Sequence, residues 1–207
     1  MFFAGLADLI RAEVHGCPTP IISNAVRDAS IEMCSRTGIN IHESSIAITA
    51  GATQYNIAGL PAESELNHVV DIFDGTQALQ PISFNELKRR LGDGDQEGKP
   101  KYYAQKDNTA IYLAPKPQEA DTLRIVYTVK PTHDASELPD TIGLEHKEVI
   151  IHGALYRLQM MNDQPWSTPT LAGVNKDLFE KGVGRITRQV KYGFSGGTLT
   201  CKPRPFL

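Results

Sequence analysis

Apolar residues recur at helical spacing near both ends of this chain and alternate with polar ones through its middle. Phe3, Leu6, Ile10 and Val14 fall on one face, and Gly16 with Pro18 stops the helix they define, predicted over 2–16. A second helix is predicted over 19–37. Thr19 suits its N-cap, Pro20 its first turn and Gly38 its C-cap, and Ile22, Val26, Ala29 and Met33 form one buried stripe with Ala25 beside it.

From about Ile39 to Thr132 the period shortens to two. Ser45-Ile-Ala-Ile-Thr-Ala50 alternates and is broken by Gly51, and Tyr55–Ala58 ends at Gly59 and Pro61. His68–Phe73 and Ala78–Ile82 flank Asp74-Gly75, a hairpin signal. Ser83 is placed to cap a short helix over Phe84–Leu91, the polar loop 92–100 follows, and strands are predicted at Tyr102–Gln105, Thr109–Leu113 and Thr122–Val129. Short strands with frequent turns describe a small antiparallel sandwich or barrel.

Helical spacing then returns. Over 144–161, Val149, Gly153, Ala154 and Leu158 form a stripe whose small residues permit close helix approach, and Asn162–Trp166 makes a turn. Ser167 or Thr168 caps a last helix over 168–192, with Leu171, Val174, Leu178, Phe179, Val183, Ile186 and Val190 as its apolar face. The expected fold is α+β: a four-helix bundle from the N- and C-terminal helix pairs (1–38 and 137–192), an inserted antiparallel β-sandwich or barrel (39–136) and an extended arm (193–207). Leu6, Val26, Val149, Leu158, Leu178 and Ile186 are expected to share one core.

Charge is distributed unevenly along this framework. The last 27 residues carry six basic side chains (Lys181, Arg185, Arg188, Lys191, Lys202 and Arg204) and no Asp or Glu. Residues 1–180 hold 15 Lys and Arg against 24 Asp and Glu, so their −9 and the tail's +6 make the net −3. An acidic body with a basic, aromatic-tipped arm has three readings: a solvated terminus, a phosphate-neutralising tail, or a segment that docks on an acidic protein surface. Tyr192, Phe194 and Phe206 favour the last, with Lys202 and Arg204 on carboxylates, while Lys181, Arg185, Arg188 and Lys191 mark a basic helix face. Trp166 reads either as a core plug between helices or as an interface anchor.

Candidate chemistry is sparse. Asp93-Gly-Asp-Gln-Glu-Gly98 matches the first half of a calcium loop, but Ala104 stands where the bidentate Glu belongs, so a solvated loop is expected. Glu145, His146, Glu148 and His152 cluster on one helix, but the histidines are six apart rather than four and face different ways, so no metal site is expected. No Gly-x-Ser-x-Gly, P-loop or dinucleotide fingerprint occurs, and no catalytic residue or cofactor is assigned. Cys17, Cys34 and Cys201 are odd in number and widely spaced, as in a reducing compartment. No apolar run approaches the ~18 residues of a membrane span, so no membrane contact is expected. The start carries Asp8 and lacks a basic leader, unlike a signal peptide.

Several stretches together resemble a virion family: Ile22–Thr37 after Cys17-Pro18, Gly51–Pro61, His68–Gly75, Ala114–Pro117, His146–Leu158 and Pro165-Trp166. In this order and spacing the chain resembles the head-to-tail adaptor (connector) proteins of short-tailed bacteriophages, of the tubular tail protein A type. The resemblance implies a ring of about twelve copies beneath the portal. It also implies a channel through which double-stranded DNA passes without sequence-specific binding. The implied partners are the portal protein, neighbouring adaptor copies and tail nozzle, tube or fibre proteins, at the head–tail junction of a virion assembled in the host cytoplasm. An acidic body suits such a conduit, because like charge keeps DNA from sticking. Two other classes compete with this reading. One is a nucleic-acid-binding factor with a basic tail, against which stand the acidic body and the lack of a reading motif. The other is a metal-dependent hydrolase using His146, Glu148 or Asp93.

Overall fold

The structure, a computed structural model, describes residues 3–91 and 97–193. It is a mixed α+β fold in which helices from both chain ends share a core and the segment between them is rich in strands. The elements are α1 (Phe3–Arg11), α2 (Thr19–Thr37), β1 (Ile41–Ile48), β2 (Gln54–Asn56), β3 (Ser64–Asp74), β4 (Gln77–Ala78), β5 (Gln80–Pro81) and α3 (Phe84–Leu91). They continue as β6 (Tyr102–Gln105), β7 (Ala110–Ala114), β8 (Asp121–Pro131), α4 (Asp140–Glu145), α5 (Lys147–Gln159) and α6 (Pro169–Tyr192).

α2 ends as its sequence dictates: Gly38 adopts φ 62°, and its N–H donates to the Cys34 carbonyl. Its start differs from expectation. Pro18 occupies the N-cap position, while the Thr19 hydroxyl accepts a hydrogen bond from Arg11 at 2.8 Å. α1 also stops early, at Arg11, yet Val14 stays buried because a turn closed by Cys17 N–H to the Val14 carbonyl (3.1 Å) keeps it under the helices. The predicted helix over 144–161 is two elements: α4 ends at His146, whose φ −114°, ψ 20° interrupts the helix, and α5 runs on from Lys147.

The helical core gathers Leu6, Ile10, Val26, Ala29, Met33, Val149, Leu158, Phe179 and Ile186. Two glycines set its tightest contact. A Cβ at Gly182 would lie 2.6 Å from Val149, and one at Gly153 would lie 2.8 Å from the Phe179 ring and 2.9 Å from Ala29. α5 and α6 therefore interlock reciprocally, each offering a glycine to the other's bulky side chain. Leu178 is a correction: expected in this core, it is exposed.

The strands make two four-stranded sheets, ordered β1-β8-β3-β4 and β2-β7-β6-β5, which share one apolar interior. Leu66, Ile72, Leu123 and Ile125 face Tyr103, Ile111 and Leu113 there. The first sheet is antiparallel throughout. The second departs from expectation, since β5 pairs with β6 in parallel. Asp74-Gly75 opens the β3–β4 hairpin as predicted, with Gly75 at φ 57°. Ser83 accepts a hydrogen bond from the Glu86 N–H at the start of α3.

α2 and β8 pack together where the helical and strand-rich parts meet. Arg27 ties this junction by donating to the carbonyls of Ala135 (2.8 Å) and His133 (2.9 Å). Next to Gly38, the His68 ring and the Thr128 hydroxyl lie 2.9 Å apart, and burial lowers the His68 pKa from its ordinary value.

The two classes of glycine predict opposite outcomes in urea denaturation. Gly182→Ala should lose about 1–3 kcal/mol through overpacking against Val149. Gly184→Ala, where a Cβ meets open space, should gain up to about 1 kcal/mol of helix propensity. Equal effects at the two positions would show that close approach does not govern this interface. Leu158→Ala, fully buried, should cost about 2–5 kcal/mol.

Candidate interaction surface

α6 carries two parallel stripes. Ala172, Asn175, Phe179, Gly182, Val183 and Ile186 face the core. One residue earlier, rotated by about 100° around the helix, runs a second stripe: Leu171, Val174, Leu178, Lys181, Arg185, Arg188 and Tyr192. All seven are exposed. The first three are apolar, the next three basic, and no carboxylate interrupts them. The stripe is ~31 Å long at 1.5 Å per residue.

The sequence reading pooled these two stripes because it followed large apolar side chains. Phe179, Val183 and Ile186 are buried as expected and Val190 is half-buried, but Leu171, Val174 and Leu178 point outward. Small and polar residues take their place inside. Gly182 admits Val149, and buried Asn175 bridges α5 by accepting at Oδ1 from the His152 ring N–H at 2.8 Å and donating to Gln159 at 2.9 Å. A polar residue at a core register was the signal that the true inward stripe lay one position on.

On the opposite flank of α6, Glu180 meets Arg36 of α2 in a two-pronged ion pair at 2.6 and 2.9 Å. Arg36 also reaches Glu32, and Glu32 accepts from Arg157 of α5, so one chain of charges links three helices. The Arg36 hydrogen bond holds the Glu180 carboxyl below the usual glutamate range and the guanidinium pKa is raised in turn. A carboxyl so depressed contributes fully above its unfolded value and loses that contribution only as pH falls below the ordinary glutamate range.

The other sequence candidates are distributed as follows. Lys181, Arg185 and Arg188 lie on the exposed stripe; Lys191 is exposed on another face, its ammonium 5.5 Å from the Tyr192 ring centroid. Trp166 is buried in the helical core. Phe194, Lys202, Arg204 and Phe206 lie outside the described residues, as does most of the Asp93–Gly98 string. His146 is buried at the α4–α5 break, Glu148 is exposed and His152 is engaged with Asn175, so the cluster read from sequence is dispersed. Burial lowers the His146 pKa, with Arg185 adding to the effect against Glu145. Its protonation therefore favours the unfolded chain as pH drops through the ordinary histidine range.

Among the described residues, no three His, Cys, Asp or Glu side chains gather as a metal site. A cleft of about 490 Å³ opens between Ile48, Asp74, Lys99, Pro117 and Asp121, but its lysine is already paired with Asp74 at 2.9 Å. No described helix is long and apolar enough to cross a membrane.

Trp166 is the sole tryptophan, so its emission reports the helical core. It should be blue-shifted in the native protein and shift red on unfolding. Trp166→Phe should be far milder than Trp166→Ala, which should cost about 3–5 kcal/mol. Red-shifted native emission would place the indole at the surface.

Comparison with known proteins adds one finding to this geometry. No curated protein matches the chain. The model of the SU10 adaptor protein family matches residues 1–199, spanning the helical part, the paired sheets and all of α6. The chain belongs to that family of phage head–tail adaptor proteins.

Proposed function

We propose that the protein is a non-enzymatic ring subunit that sits beneath the portal of a phage head, extends its DNA channel and receives the tail nozzle or fibre proteins. The family match over residues 1–199 carries this reading, because it takes in every described helix and strand. The ring holds about twelve copies, a closed cyclic assembly of identical subunits. The segments 1–38 and 137–192 form a four-helix bundle in the ring wall, 39–136 is the strand-rich domain facing the tail parts, and 193–207 is the arm.

The arm binds protein. Lys202 and Arg204 pair with carboxylates and Phe206 enters an apolar pocket, first on the portal and second on a neighbouring copy. Several such contacts are needed, because ordering an extended segment costs about 1–2 kcal/mol per residue. DNA passes an acidic body, whose residues 1–180 carry −9, and is not held by sequence.

Deletion of residues 195–207 tests the arm. The truncated subunit should keep its melting temperature and lose stable attachment to portal-bearing heads, measured by co-sedimentation. Attachment at wild-type affinity would remove the arm from the mechanism. Mass photometry of adaptor bound to heads and then released tests the ring, which requires a closed species of about twelve subunits.

A further inference from the structure

We propose that the exposed stripe of α6 docks on the acidic 134–145 stretch of a second copy of this chain, which supplies the subunit contact that the ring reading requires. The proposal rests on that reading for its purpose but on separate observations for its residues.

The stripe's apolar half is uncovered within the subunit. Leu171 is 50% exposed, Val174 54% and Leu178 41%, each one turn from the next. Three adjacent apolar side chains left half in water on a rigid 24-residue helix make a docking strip, not scattered surface. The basic half continues the same line with Lys181, Arg185 and Arg188. Duplex DNA would satisfy the charges but offers nothing to three aliphatic side chains, so the occupant is a protein surface that is acidic and carries an apolar centre.

This chain displays such a surface. Residues 134–145 hold Asp134, Glu137, Asp140 and Glu145, all exposed, with no Lys or Arg. Leu144 stands among them at 59% exposure. Glu63 adds a carboxylate by accepting from the Ser136 N–H and hydroxyl, and Arg27 is seated beside this stretch through the His133 and Ala135 carbonyls. Exposed leucine amid acids is the complement of exposed leucines beside bases. Within one subunit Glu145 and Arg185 both act on His146, at one end of each face. Because the faces use different residues, the contact repeats head to tail from copy to copy, the kind of contact that forms a ring when the rotation between copies closes.

A charge-reversal exchange tests the contact. One variant carries Lys181→Glu and Arg185→Glu, the other Glu137→Lys and Glu145→Lys. Both should melt as wild type does, since all four residues are exposed. In sedimentation velocity at low salt and high concentration, wild type should self-associate and each variant alone should do so at least about tenfold more weakly. A one-to-one mixture should recover association, because a reversed stripe then meets a reversed acidic face. Leu178→Ser should also weaken it without changing the melting temperature.

Undiminished association by either charge variant would place the subunit contact elsewhere, overturning this proposal while leaving the ring reading intact. Wild-type association that stops at a dimer would uphold the contact and overturn the ring. A wild type that stays monomeric throughout, or a stripe variant that loses only salt-sensitive binding to a duplex oligonucleotide, would overturn the docking proposal.

Discussion

The interlock of α5 and α6 governs the rest of the structure. Phe179 sits over Gly153 and Val149 over Gly182 at separations that leave no room for a methyl group. A helix pair this close fixes its own rotation, because turning α6 by one residue would drive a side chain into α5. That rotation decides what α6 turns away from the core. With Phe179, Val183 and Ile186 inward, Leu171, Val174 and Leu178 have no choice but to face outward. The glycines thus determine the surface as much as the interior, and Asn175, buried and bonded to α5, reinforces the same register.

Around this pair the other helices are tied by different forces. α2 contributes Ala29 to the pocket of Gly153 and Arg36 to the Glu180 carboxylate, one contact set by shape and the other by charge. The ion pair is exposed, so its role is orientation more than stability. The strand-rich part is joined through backbone carbonyls held by Arg27 and through packing of α2 on β8. Hydrogen bonds to carbonyls depend on chain path and not on side-chain identity, which is why no sequence pattern announced this joint.

Local signals were legible where chemistry is local. Gly38 at a left-handed cap, Asp74-Gly75 at a hairpin and Ser83 three residues before Glu86 each name a backbone geometry that few other residues supply. Strand positions followed from period-two alternation. What stayed hidden depended on distant partners. Nothing near His146 marks a helix break, and the parallel pairing of β5 with β6 joins segments separated by α3 and the following loop. Trp166 was ambiguous because a turn indole reads alike whether it plugs a core or faces outward. The stripe on α6 was misread because apolarity alone identifies what can be buried, while the space left by Gly153 and Gly182 identifies what is.

One feature of the chain path bears on how the subunit is made. α1 and α2 bury their apolar faces against α5 and α6, which follow them by more than a hundred residues. The intervening strands close their own interior from residues between Ile46 and Val129. During synthesis the middle of the chain can therefore condense while the first two helices still lack their partners, and the helical core cannot close until Ile186 has left the ribosome. Completion of translation is thus itself a checkpoint: a nascent or prematurely terminated chain has no finished helical face to offer another subunit.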